Sequence, residues 1–151
     1  MSNELTAFVQ SGVAVAVATR DEELRPTFAR GWGPVVSHDG TMLALCVGAE
    51  PESATLSNLE RTGAIAVGFS PPTRARALQV KGTSLSIEVP GPAALELAER
   101  HLDAFCAEAE SIGFSPELSR RLYEPSELVL VRFTVAEAFE QTPGPTAGRP
   151  L

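Results

Sequence analysis

Residues 76–89, RALQVKGTSLSIEV, alternate apolar and polar side chains as a strand buried on one face does, but the alternation changes phase partway. Leu78 and Val80 occupy even positions, whereas Leu85, Ile87 and Val89 occupy odd ones. A strand that swaps faces near Gly82-Thr83 carries a β-bulge or turns a barrel corner there. Few architectures use such a strand, and the rest of the chain narrows them further.

VAVAVATR at 13–20 and AIAVGFS at 64–70 are apolar on both phases and read as buried strands. TFARGWGPVVS at 27–37 reads as a strand interrupted by two glycines and a proline. It leads through the turn signal His38-Asp39-Gly40 into a third strand, TMLALCVG, at 41–48. ELVLVRFTV at 127–135 is the last strand. Helices are expected in four places. Asn3 caps the first, which carries Leu5, Phe8 and Val9 and ends before Gly12. The second covers 49–63, with acidic residues in its first turn and Gly63 just past its end. The third runs from about Ala93 to Ile112, with Leu95, Ala98, Leu102, Phe105 and Ala109 on one stripe. The fourth starts at Ser115-Pro116-Glu117. The order α-βββ-α-ββ-αα-β favours a mainly β, antiparallel barrel with peripheral helices over a doubly wound parallel sheet. The chain of 151 residues is long enough for one such domain, spanning 1–140, and QTPGPTAGRPL at 141–151 reads as an extended Pro/Gly-rich tail.

Charge and composition remove several functions. Twelve basic against nineteen acidic residues give a net charge of −7, unsuited to neutralising duplex phosphates. No apolar run exceeds six residues, too few for a membrane-spanning helix. MSNELTAF lacks the features of a secretory leader, so a cytoplasmic protein is expected. Cys46 and Cys106 have neither CxxC spacing nor histidine partners and fit buried free thiols; no metal site is expected. Gly31-Trp32-Gly33 begins like a dinucleotide fingerprint, but Val36 stands at the third glycine position and no helix follows. No phosphate-loop motif is present. Ser37, His38 and Asp39 are neighbours in a turn and cannot line up as a catalytic triad. His101, alone on its helix, is read as structural before it is read as a ligand of metal or haem.

Eleven arginines stand against one lysine, Lys81, which shares a strand face with Gln79. Arg30 and Trp32 share a face of the second strand, leaving Ala29, Gly31 and Gly33 on the other. That bare face either admits a flat ligand or another chain, or marks bends in a barrel strand with Arg30 as surface charge.

Taken in order, PTFARGWGP (26–34), the hairpin, TMLALCV (41–47), ESATLSNLERTGAIAVGFS (52–70), RALQVKG (76–82) and FEQTPGPTAG (139–148) resemble the pyridoxamine 5′-phosphate oxidase-like family of FMN-binding split barrels, in its small single-domain branch. The resemblance implies a six-stranded split barrel that forms a homodimer with FMN in clefts between subunits. It places Arg30, Gly31 and Trp32 along the flavin, the backbone of Cys46 and Val47 against the ring system, and Ser53 and Thr55 at the phosphate. Gln79 would touch the flavin, with Lys81 nearby.

Two departures qualify what is implied. Thr55 stands where the family commonly has lysine, so the phosphate's counter-charge falls to Arg30 or Lys81. The chain ends in TAGRPL where the authentic vitamin B6 oxidase has an Arg-x-Arg-Leu-type segment, so pyridoxine phosphate oxidation is not expected. Two functions remain. One is an FMN-dependent oxidoreductase acting on an unidentified small molecule, with no evident general acid or base. The other is a non-catalytic ligand-binding or sensory dimer that takes deazaflavin, haem or no cofactor.

Overall fold

The computed structural model describes residues 1–50, 53–125 and 127–151. Its elements follow the expected order: α1 (Asn3–Val9), β1 (Ala14–Arg20), β2 (Pro26–Val36), β3 (Met42–Gly48), α2 (Thr55–Thr62), β4 (Ala64–Ser70), β5 (Leu78–Glu88), α3 (Pro92–Glu110), α4 (Pro116–Tyr123) and β6 (Leu128–Glu140). The six strands close into one barrel in the order β1-β2-β3-β6-β5-β4, every neighbouring pair antiparallel.

Alternation along the strands fills the barrel. Val17, Leu45, Val47, Val67, Val80, Val131 and Phe133 are completely buried inside it. Each such aliphatic side chain stabilises the fold by about 1.5–3 kcal/mol relative to exposure. A second apolar cluster lies outside the barrel wall, where Trp32, Cys46 and Leu130 meet Ala98, Leu102, Phe105 and Cys106 of α3.

Two glycines bring α3 unusually close. A Cβ on Gly12 would lie 2.6 Å from the Ala104 carbonyl oxygen, and one on Gly33 would lie 2.8 Å from the Ala98 nitrogen. Gly33 also holds φ at +58°, where other residues are strained, and β2 bulges there between Trp32 and Val35. The helix is thus pressed backbone to backbone on the barrel at two points six residues apart in its sequence. Arg120 of α4 then ties α4 to α3 through Glu99 at 2.8 Å and through Asp103.

Several local expectations are corrected. The α1 cap is Ser2, whose hydroxyl accepts from the Leu5 N–H, not Asn3. The helix expected over 49–63 begins only at Thr55, with Ala54 before it and no acid in its first turn. Ser53 Oγ there accepts from the Thr55 N–H at 3.2 Å, and Pro51 and Glu52 lie outside the described residues. Leu95 is 44% exposed because the first turn of α3 meets the barrel through Ala94; His101 takes a place on the buried stripe instead.

A bulge interrupts the ladder at Lys81/Gly82, where one was expected, but the side-chain phase of β5 changes only at Leu85. Two bulges interrupt the β5–β6 ladder, with Ala136 the extra residue on β6 and Leu85 the extra residue on β5. Gly82 keeps the inward phase of Leu78 and Val80, its bare side facing Phe133, while Leu85 swings out and Ile87 returns to the core. Val89 lies beyond the strand and is 90% exposed. β6 continues to Glu140, and residues 141–151 turn back along it, with the Leu151 N–H donating to the Ala138 carbonyl at 2.9 Å.

Candidate functional site

The antiparallel register sets four residues in a row across the outer barrel wall: Arg30 on β2, Ala16 on β1, Gly68 on β4 and Gln79 on β5. The next row is Phe28, Ala18, Ala66 and Lys81. Two polar or bulky borders therefore flank a flat floor of alanine and glycine, and the outer pair of strands stands about 14 Å apart by ordinary strand spacing. The strands expected to be covered on both faces are covered by this chain only inside, since Ala14, Ala16, Ala66 and Gly68 are half-buried and Ala18 is exposed.

Helices α3 and α4 raise a wall along one side of that floor and close a cleft of about 460 Å³. Arg30, Trp32, Gln79 and Gln141 line it together with His101, Phe105 and Tyr123. Its size and its mixture of aromatic walls with few polar groups suit a small-molecule site. The Arg30 guanidinium lies 3.8 Å from the centroid of the Tyr123 ring, and that ring packs on Phe105 at 4.5 Å between centroids. A cation over an aromatic face gains about 0.5–2 kcal/mol. Among the described residues, Arg30 Nη1 is nevertheless buried without a hydrogen-bond partner. A guanidinium donor left unpaired in an aromatic cleft is suited to an anionic ligand group.

His101 is a second buried polar side chain. It is 8% exposed, its ring nitrogens are shut off from solvent, and the contact it makes is a weak one to the Val13 backbone. Burial pushes its pKa down to about 4 against a smaller upward pull from the Val13 backbone, so the ring is neutral at pH 7. The same ring also borders a smaller cavity of about 230 Å³ beside Gly12 and Gly33.

Of the nine residues singled out in the sequence, Arg30, Gly31, Trp32 and Gln79 come together at this cleft. The bare side of Gly31 does not face it. A Cβ there would strike Leu45, Val15 and Val17, so Gly31 makes room for the barrel core, whereas Gly33 makes room for α3. Lys81 sits one row away with Nζ 4.9 Å from the Phe139 ring centroid. Val47 is completely buried in the barrel, and the backbones of Cys46 and Val47 pair with β2 on one side and β6 on the other. The Cys46 thiol points under α3 toward the Ala94 carbonyl at 3.8 Å, and burial raises its pKa, as it does for Cys106. Neither thiol is activated as a nucleophile.

Ser53 and Thr55 stand apart from the cleft, the Ser53 hydroxyl donating to Thr55 Oγ1 at 2.8 Å while Thr55 is completely buried. Beside them Asn58 donates to the Thr19 and Thr27 hydroxyls at 3.2 and 3.3 Å, which fastens α2 to the barrel. The turn residues behave as expected: Ser37 and Thr41 donate to Asp39, holding its carboxyl down at about 2, and His38 is exposed.

No protein-family model matches the sequence, and no curated protein does either. Solved structures match closely in shape. An F420 reductase superposes on 87% of this chain and 93% of its own at TM-score 0.57, with 17% identity. A candidate pyridoxamine 5′-phosphate oxidase from Lactobacillus delbrueckii subsp. matches 92% of this chain and 93% of its own at 0.55, with 14% identity. An FMN-binding protein from Syntrophomonas wolfei subsp. wolfei matches 91% and 86% at 0.54, with 11% identity. The chain shares their fold. It is the six-stranded split barrel that the sequence motifs implied.

Tyr123, Phe105 and Gln141 line the cleft of this split barrel without having stood among the candidate site residues. Tyr123 and Phe105 belong to helices whose approach to the cleft depends on Gly12 and Gly33. Only the apolar stripe of α3 was a usable signal, and it carries Phe105 but gives no sign of which strand face it covers.

Proposed function

We propose that this chain is a member of the pyridoxamine 5′-phosphate oxidase-like split barrels and holds a flavin, FMN, in the outer cleft. The observation that carries the reading is Arg30 Nη1, a buried cationic donor with no partner among the described residues, at the border of a flat alanine–glycine floor. That combination fits a planar ring system with an anionic substituent. Arg30 would hold the phosphate, Ala16 and Gly68 would let the ring lie close to the backbone, and the Gln79 amide would meet a polar ring edge. Among the described residues, Gln79 has one long side-chain hydrogen bond, accepted from Gln141 at 3.5 Å. A bound flavin would supply hydride and electron transfer to a small-molecule substrate, and the chain's residues would orient it and exclude water.

The part of the β1–β4 floor that α3 and α4 leave open supports a homodimer, because a second copy is the simplest cover for the exposed Ala18 and half-buried Ala66. The second function class, a non-catalytic binder of another ligand such as deazaflavin or haem, is favoured by one observation. Ser53 and Thr55 satisfy each other and add no charge, so a phosphate depends on Arg30 or Lys81 for its counter-charge. The visible absorption spectrum of freshly purified protein tests the two readings. Oxidised-flavin bands support the first, and a Soret band or a colourless protein that also takes up no added FMN would overturn it.

A further inference from the structure

Tyr123 is the last residue of α4, a short helix that Ser115 caps at its start and Arg120 ties to Glu99 and Asp103 of α3. That attachment brings its ring to two partners. Phe105 packs on it at 4.5 Å between centroids, and the Arg30 guanidinium carbon lies 3.8 Å from its centroid. Phe105 is itself buried in the apolar cluster between α3 and the barrel wall, so the Tyr123 ring rests on a fixed base. From that height a guanidinium nitrogen aimed at the ring centre would come within about 2.5 Å of it, closer than atoms pack. The guanidinium therefore lies across the ring face. Stacking uses the flat side of this group, whereas its N–H donors point outward in the plane. The aromatic contact and a hydrogen bond to an anion thus do not compete, and Arg30 still lines the cleft. A long side chain gives up rotamer freedom when it grips a ligand. Here the Tyr123 ring has removed part of that freedom before any ligand arrives.

We propose that Tyr123 is a positioning residue, whose ring holds Arg30 in the conformation that receives the ligand's anionic group. The proposal rests on the flavin reading above and deepens it, since it names the residue that readies the phosphate's counter-charge. What acts is the ring face, so the hydroxyl is dispensable. Tyr123 would then set affinity for the phosphate through Arg30 and be indifferent to the flavin ring.

Titrating FMN and riboflavin, which lacks the phosphate, by flavin fluorescence against the parent, Tyr123→Phe, Tyr123→Leu, Arg30→Ala and the double variant separates the roles. Tyr123→Leu weakens FMN about two- to tenfold, the cost of ordering one long side chain on binding, and leaves riboflavin unchanged. Tyr123→Phe binds FMN like the parent. Arg30→Ala weakens FMN alone, and adding Tyr123→Leu to it brings no further loss, because the two residues act as one unit. Should the Leu variant not fold, Tyr123→Met, which also lacks a ring, serves the same comparison. Three results overturn the role of Tyr123 while the flavin reading stands: a Tyr123→Leu that binds FMN as tightly as the parent or tighter, one that loses riboflavin equally, and a loss that persists in the Arg30→Ala background. A parent that binds neither flavin overturns both.

Discussion

Lowering the pH destabilises this fold through His101, and the size of the effect follows from its burial. The ring is held neutral with its pKa at about 4, against an ordinary value of 6.5. Between those values the unfolded chain binds a proton that the folded chain refuses, so stability is complete above pH 6.5 and falls as the pH drops toward 4. At pH 5 the deficit is about 2 kcal/mol, which for a domain of this size lowers Tm by about 4–8 °C. Arg30 and Tyr123 are the other ionisable side chains lining the cleft, and they are common to parent and variant. Asp21, Asp39, Glu88 and Glu140 accept hydrogen bonds that hold their carboxyls below the usual range, so their contributions are lost only in stronger acid. Urea unfolding at pH 7.5 and pH 5.0, for the parent and His101→Gln, isolates the histidine. The parent loses about 2 kcal/mol more than the variant between the two conditions. Equal losses in the two proteins would refute the argument that this ring is buried uncharged.

Three further outcomes are expected. Gly33→Ala forces a Cβ to within 2.8 Å of the Ala98 nitrogen at a φ of +58°, and by urea unfolding it costs about 2 kcal/mol or more. Light scattering of the parent gives twice 15.9 kDa, and Ala66→Glu on the bare outer wall returns it to the monomer mass; a monomeric parent contradicts the dimer. Assayed with pyridoxine or pyridoxamine phosphate, the purified protein makes no pyridoxal phosphate at rates typical of enzymes, about 1 per second or more.

The barrel was legible because its signals are local. The runs VAVAVATR and AIAVGFS, apolar on both phases, the Asp39-Gly40 turn and the Ser115-Pro116 helix start each act within a few residues. What remained hidden depends on distant backbone. Whether the bare side of Gly31 meets a ligand or the core is decided by Leu45, fourteen residues on. The bulge at Leu85 is a property of the ladder with β6, and the burial of His101 is set by two glycines outside its helix. Ser53 and Thr55 look like a ligand pair in sequence and are a pair, but with each other.

The most direct test of the account is the affinity of the protein for FMN when Arg30 is removed. Hydrogen bonds to a charged group are worth about 1.5–3 kcal/mol each. Flavin fluorescence titration should therefore show Arg30→Ala binding FMN about ten- to a hundredfold more weakly than the parent, with a smaller loss for Thr55→Val and, for Lys81→Met, a loss no greater than intermediate. An Arg30→Ala protein that binds FMN as tightly as the parent would contradict the placement of the phosphate at Arg30.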